Sequence, residues 1–168
     1  MKLRTLQDVF EDELFDMYNA EVQLTKELPK MAEKATSPDL AQAFRDHLEE
    51  TEVQVDRLEK IVDILGIKIE KEKCEAMAGI IKEAERLVKS TEKGPVMDAV
   101  LIAAAQKVEH YEMASYGTLR ELAKLLGYDD AVDLLQETYE EEEGADKKLT
   151  ALAAGHINKD AMTRMAAE

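Results

Sequence analysis

The sequence is poor in the residues that form turns, disulfides and large aromatic cores. Its 168 residues include only 7 glycines, 3 prolines, one cysteine and no tryptophan. So few glycines and prolines argue against a turn-rich β sandwich and favour long helices, as does the abundance of Ala, Leu, Glu and Lys. The single cysteine, Cys74, excludes an intramolecular disulfide and a thiolate zinc site, and it is typical of a reducing compartment.

Long apolar runs and an excess of positive charge are also absent. No stretch approaches the roughly 18 uncharged apolar residues that a membrane-spanning helix needs. The N-terminus runs into Glu11, Asp12 and Glu13 with no apolar core, so we expect no signal peptide and a cytoplasmic location. Acidic residues outnumber basic ones 37 to 22, which gives a net charge of −15. Because this charge repels phosphate backbones and anionic lipids, we expect neither nucleic acid nor membrane as a partner.

Apolar spacing and helix-end residues predict a single all-α domain over residues 1–168. Thr5 is the expected N-cap of the first helix, and Gly66 and Gly127 are the expected ends of the second and fourth. Two long helical hairpins, joined by a crossover with a short helix, have the connectivity of a ferritin-like four-helix bundle. After the last of five helices, the final dozen residues are expected to form either a flexible C-terminal tail or another turn or two. The five helices are placed at about residues 6–34, 38–65, 74–89, 96–126 and 130–153.

Glutamates interrupt three of the predicted core stripes. Glu21, Glu112 and Glu142 each occupy a central core position of the first, fourth and fifth helices. Glutamate is seldom fully buried unless it is paired, and no basic residue lies on the same stripes. The apolar stripe of the second helix is continuous apart from Thr51, and we take Glu50, on its flank, as the inward carboxylate. The alternative is a polar layer in which these glutamates pair with Lys or Arg or bind water.

The four glutamates are expected at one level of the bundle. Within each hairpin they lie at similar separations from the turn, and the mismatch is roughly 3–5 Å at a rise of about 1.5 Å per residue. Like charges this close in a poorly solvated core would force some of the carboxylates to take up protons. Cations remove this conflict, so the sequence predicts a site for two divalent metal ions. Iron is the first choice, with manganese or zinc as alternatives.

The remaining ligands of this site are less well defined. Known dimetal bundles use Glu-x-x-His units on two helices, and those histidines are absent here after Glu50 and Glu142. Further ligands must therefore come from nearby side chains. The candidates are His47, Gln54, Glu109 and Asp146.

Several stretches resemble the YciE/YciF family of ferritin-like stress proteins. The most specific is V-E-H-Y-E-x-A-S-Y-G-T-L, which ends at Leu119, and the resemblance covers nearly the whole chain. It implies a ferritin-like bundle, a dinuclear metal site, a dimer and expression under stress. The stretches that carry the resemblance are Tyr18–Thr25, His47–Val62, Lys73–Met77, Ala99–Leu119 and Glu137–Leu149.

Two functional hypotheses follow, and they differ on whether the chain is an enzyme. The first is a stress-associated dimetal protein that handles iron, oxygen or peroxide, with Fe(II) oxidation as its chemistry. The second is a non-enzymatic helical interaction protein with a structural or vestigial metal site, favoured by the missing histidines and the acidic exterior. A homodimer is expected in addition, because aromatic residues extend beyond a single core stripe. These residues are Phe10, Phe15, Tyr111 and Tyr116.

Overall fold

A computed structural model describes residues 2–69 and 72–164, which form helices and no strands. This confirms the predicted all-α class. Among these residues, no helix combines the length and the apolar character needed to cross a bilayer. The elements are α1 (Leu6–Lys34), α2 (Pro38–Leu65), α3 (Glu75–Lys89), α4 (Pro95–Leu126), α5 (Asp129–Leu152), a π-helical turn (Ala153–Ile157) and α6 (Asn158–Arg164).

Local signals explain where the long helices begin and end. The Thr5 hydroxyl accepts a hydrogen bond from the backbone N–H of Asp8, and the Asp8 carboxylate accepts one from the N–H of Thr5. This reciprocal capping box fixes the start of α1. Gly66 and Gly127 end α2 and α4 with φ angles of 65° and 75°. Glycine suits this left-handed conformation because it has no Cβ.

The four long helices form an antiparallel bundle from two hairpins. Helix α1 packs on α2, α4 packs on α5, and the hairpins meet through the pairs α1–α4 and α2–α5. The short helix α3 lies outside the bundle, against α4 and α1. The architecture confirms the ferritin-like four-helix bundle that the sequence predicts.

The start of α3 is attached to α1 by polar contacts of Cys74. The backbone N–H of Cys74 donates to Asn19 Oδ1 at 2.8 Å, and its thiol donates to Asp16 Oδ2 at 3.0 Å. The sulfur also accepts from the backbone N–H of Met77 and caps α3. Cys74 therefore has a structural role, in fixing the crossover helix to the bundle.

The aromatic residues behind the homodimer prediction lie mostly inside the chain. Phe10, Phe15 and Tyr116 are buried in the core. The hydroxyl of the partly buried Tyr111 donates to Asp16 of the same chain at 2.6 Å. Packing within the chain therefore explains these aromatic residues, and they no longer indicate a dimer interface. The homodimer remains a prediction.

The sequence leaves two forms open for the segment after α5, a flexible tail or another turn or two. It continues as the π-helical turn and α6, and α6 packs against α4. The reason is apolar burial, since Ile157 belongs to the hydrophobic core. Residues 165–168, which the expected tail also includes, lie outside the described residues.

Asp98 connects the turn between α1 and α2 to the first turn of α4. Its buried carboxylate accepts hydrogen bonds from the backbone N–H groups of Thr36, at 2.6 Å, and Ser37, at 3.0 Å. We expect Asp98→Ala to lower the free energy of unfolding by about 1–3 kcal/mol, because both donors lose a charged acceptor. Urea unfolding followed by circular dichroism measures this change. Asp63→Ala, which removes an exposed carboxylate near the end of α2, is the control, and equal losses in the two variants would contradict the prediction.

Candidate metal centre

Three of the predicted glutamates meet inside the bundle. Glu21 of α1, Glu112 of α4 and Glu142 of α5 are each 0% exposed. Their helices belong to both hairpins, and apolar residues above and below on the same stripes keep them in the interior. The side chains that surround this point are named here the buried cluster, which consists of Glu21, His47, Glu109, Glu112 and Glu142.

Helix α2 contributes His47 to the cluster, and the expectation that Glu50 is the inward carboxylate is corrected. His47 is 6% exposed, and its Nε2 lies 3.5 Å from Glu109 Oε1 and 3.6 Å from Glu142 Oε2. The Glu50 side chain is half exposed, and its Oε2 lies 3.3 Å from His47 Nδ1. Glu50 therefore reaches the cluster only through the imidazole.

The register of the buried stripe explains why Glu50 lies outside. Helix α2 buries Phe44, His47, Thr51, Gln54 and Leu58, at alternating spacings of three and four residues. This stripe places the polar side chains of positions 47 and 54 on the inner face. Position 50 lies beside the stripe, at its edge.

The other candidate ligands fall at different distances from the cluster. Glu109 is buried within it, and one ligand-type atom from each of His47, Glu109, Glu112 and Glu142 lies within 4.8 Å of the others. Gln54 is fully buried on the same face of α2 as His47. Asp146 is not brought into the cluster, since its carboxylate is partly exposed and bonds Gln106 at 3.3 Å.

Unpartnered polar atoms are concentrated at this site. In the part of the chain that the structure describes, every buried side-chain nitrogen or oxygen without a hydrogen-bond partner belongs to the cluster or to Gln54. Leaving such a group unpaired costs about 1–3 kcal/mol each. The His47 contacts of 3.5 and 3.6 Å are too long to be hydrogen bonds. The atoms are Glu21 Oε2, His47 Nε2, Gln54 Oε1, Glu109 Oε2 and both carboxylate oxygens of Glu112 and Glu142.

The charged forms of these carboxyl groups are strongly disfavoured. Burial, reinforced by the negative charge of Glu142, raises the pKa of Glu21 to about 8. Burial also raises the pKa of Glu109 to about 8, and it holds the pKa values of Glu112 and Glu142 well above the ordinary range. Among the described residues, no lysine or arginine forms an ion pair with these four glutamates. The alternative of a polar layer paired with Lys or Arg therefore finds no support.

The imidazole of His47 gains proton affinity from its neighbours. Burial acts to lower its pKa, but the hydrogen bond with Glu50 and the charges of Glu142 and Glu21 outweigh burial, so the pKa of His47 is raised. Glu50 thus has an identifiable role at the edge of the site. It holds Nδ1 of the imidazole while Nε2 faces the cluster.

Tyr116 is a site residue that the sequence reasoning assigned to packing or an interface. Its buried hydroxyl donates to Glu21 Oε1, and Glu21 Oε2 has no partner. The bond fixes the orientation of the Glu21 carboxylate. The available signal was the spacing of four residues between Glu112 and Tyr116, which places both on one face of α4.

An arginine network supports the cluster from the α2–α5 side. The guanidinium of Arg57 donates to both carboxylate oxygens of Glu141, at 2.8 and 3.0 Å, and to Thr138 Oγ1 at 2.7 Å. Glu141 in turn accepts from Gln54 Nε2 at 3.0 Å. These bonds hold the Gln54 amide in place beside the cluster, with its Oε1 unpartnered.

The donor set of the cluster fits divalent metal ions. Carboxylate oxygens with one imidazole nitrogen suit iron, manganese and zinc. Four carboxylates carry four negative charges when ionised, which two divalent cations balance. The unpartnered oxygens and the imidazole Nε2 provide the lone pairs that such ions need.

The fold and the site together define a class of protein. It is a ferritin-like four-helix bundle whose core contains a carboxylate–histidine cluster with donor atoms suited to a metal ion. Residues 5–162 match the family described as domain of unknown function DUF892, and the chain belongs to this family.

Individual relatives support this assignment. Protein YciF of Escherichia coli (strain K12) is 52% identical over 162 residues, which cover 96% of this chain and 98% of YciF. The crystal structure of the E. coli stress protein YciF matches with a TM-score of 0.90, covering 94% of this chain and 99% of that one. YcfI from Rhodopseudomonas palustris is 44% identical with a TM-score of 0.86, covering 89% and 95%. These findings confirm the resemblance to the YciE/YciF family.

Proposed function

We propose that the buried cluster binds two divalent cations, iron in the first place, and oxidises Fe(II) with oxygen or peroxide. The observation that carries this proposal is the convergence of unpartnered carboxylate oxygens and one imidazole nitrogen in a core without compensating lysine or arginine among the described residues. The similarity with the E. coli stress protein YciF supports a role for this chemistry in stressed cells. A cytoplasmic location remains a prediction from the sequence.

Charge balance favours a pair of cations over a single one. One divalent ion would leave two of the four buried carboxylates uncompensated, and those groups would have to be protonated. Two divalent ions neutralise all four. Glu112 and Glu142, whose oxygens are all unpartnered, would hold the cations together with Glu21, Glu109 and His47.

The chain's own residues determine how the donors are presented. Tyr116 holds one oxygen of Glu21, so that the other is available to a cation. Glu50 holds Nδ1 of His47, so that Nε2 faces inward. Iron bound as a pair would supply two electrons to one molecule of oxidant at a single site.

A second candidate function is a non-enzymatic protein whose metal is structural. One observation favours it, because the cluster contains a single histidine where known dimetal bundles have two. In this case the metal would stabilise the bundle, and the protein would act through its surface. The two candidates agree on metal binding and differ on turnover.

Metal content and Fe(II) oxidation by the chain separate these candidates. We expect protein purified without chelators to contain about two metal ions per chain and to oxidise added Fe(II) over repeated turnovers. A cation at 100 times its dissociation constant should stabilise the fold by about 2.7 kcal/mol, visible as a higher melting temperature with Mn(II) than with EDTA. Metal binding without Fe(II) oxidation would favour the structural candidate. Absence of both bound metal and affinity for Fe(II) or Mn(II) would overturn the proposal.

A further inference from the structure

A cavity of about 270 Å³ connects the surface to the buried cluster between α2 and α5. Its inner wall includes His47 and Glu109, both of which belong to the cluster. Its outer wall includes Glu50, Gly144 and Lys148, whose side chains or backbone are exposed. The cavity therefore begins in solvent and ends at His47 and Glu109, each of which carries a buried atom without a hydrogen-bond partner.

Small residues keep this passage open. Ala43 of α2 and Gly144 and Ala145 of α5 line it. A Cβ atom added at Gly144 would meet no atom within 4 Å, so the backbone of α5 faces open space there. The first atom of a larger side chain at this position therefore displaces no neighbour.

The charges at the mouth favour cations. Lys148 is paired with Asp46 at 2.8 Å, and Glu141 is paired with Arg57, so these charges are largely compensated. Glu50 is a half-exposed carboxylate that contacts His47 Nδ1 on its inner side and, among the described residues, forms no ion pair with a lysine or arginine. Its negative charge therefore lies at the entrance, next to the imidazole of His47, whose Nε2 faces the cluster.

We propose that this cavity is the port through which divalent cations enter and leave the buried cluster, and that Glu50 attracts them at its mouth. The proposal rests on the proposed function, since it requires that the cluster binds metal. It gives Glu50 a role outside the ligand set, as the carboxylate that a cation meets before it reaches His47 and Glu109.

Blocking the port with Gly144→Leu tests its position. Binding of Co(II) alone, followed by its visible absorption in a stopped-flow instrument, and removal of Co(II) by EDTA give the two rates. We expect both rates to fall about tenfold with the dissociation constant unchanged, because entry then requires the bundle to open. Gly79→Leu is the matched control, since Gly79 is exposed on α3 and its Cβ would also meet no atom within 4 Å. Its rates should equal those of the unmodified chain.

Glu50→Gln tests the attraction at the mouth. It keeps the shape and a hydrogen-bonding oxygen for His47 but removes the charge. We expect Co(II) binding to slow by about two- to tenfold at low salt and to lose part of its salt dependence, as for electrostatically steered association. Glu49→Gln, at the exposed neighbouring position, should change neither property.

The outcomes separate the port from the function on which it rests. If the unmodified chain binds Co(II) and Gly144→Leu shows the same two rates as Gly79→Leu, the port is overturned and the metal site stands. A Gly144→Leu variant that changes the dissociation constant through the release rate alone, with the binding rate unchanged, also overturns the port. If the unmodified chain binds no Co(II), the metal site fails, and the port fails with it.

Discussion

Glu112→Gln is expected to stabilise the metal-free protein while weakening its metal binding about tenfold to a hundredfold. Both carboxylate oxygens of Glu112 are buried and unpartnered. Burial first, and then the charges of Glu142 and Glu21, raise the pKa of Glu112 well above 4.5. A carboxyl group that is protonated only in the folded state lowers the free energy of unfolding. The loss is about 1.4 kcal/mol for each unit by which the solution pH exceeds the ordinary pKa of the group. The glutamine amide needs no proton, so we expect a gain of about 1–3 kcal/mol without metal.

Melting temperatures with EDTA and with Mn(II) measure both effects in one experiment. Glu52→Gln, at an exposed position of α2, removes the same charge away from the cluster and should leave both temperatures unchanged. In Glu112→Gln, the temperature with EDTA should rise and the increment due to Mn(II) should shrink. A lower temperature with EDTA together with an unchanged increment would mean that Glu112 belongs to a buried structural pair, as in the polar-layer alternative.

The bundle is predictable from sequence because its signals are local. The capping box at Thr5 and the left-handed glycines at 66 and 127 involve residues within one helical turn of each other. The short length of the turns and the long crossover then leave few topologies. The sequence leaves the form of the segment after α5 open, because the burial of Ile157 depends on packing against the finished bundle.

The site is only partly predictable, and α2 shows the physical reason. Glu21, Glu112 and Glu142 stand out because each interrupts an apolar stripe. In α2, two sets of positions at helical spacing overlap. One set is almost entirely apolar and places Leu48 on the inner face, and the other places His47 there. The sequence favours the apolar set as the inner face, whereas packing against the neighbouring helices buries the set that contains His47. The hydrogen bond from Tyr116 to Glu21 links residues 95 positions apart and leaves no local trace.

The metal-free protein is expected to lose stability as the pH rises from about 5 to 8. Glu21 and Glu109 have pKa values of about 8 in the folded state and ordinary values of 4.5. Below pH 4.5 these groups are protonated in both the folded and the unfolded state, so they do not lower the free energy of unfolding there. Between 4.5 and about 8 the unfolded chain releases protons that the folded chain keeps, so the free energy of unfolding falls by up to about 1.4 kcal/mol per pH unit for each group. The raised pKa of His47 acts in the same direction, since stability is lost as the pH rises through it.

Bound metal should reverse this slope, because the carboxylates and the imidazole bind cations in their deprotonated forms. Urea unfolding at pH 5, 6, 7 and 8, with EDTA and with Mn(II), gives the two slopes on the same samples. In EDTA the free energy of unfolding of the unmodified chain should fall with pH. The fall should be less steep for Glu112→Gln, which lacks one of the protons that the folded state retains. Glu52→Gln should keep the slope of the unmodified chain. Stability that is constant or rises from pH 5 to 8 in EDTA would show that the four buried carboxyl groups do not hold protons against solvent. The charge conflict that makes a cation necessary would then be absent.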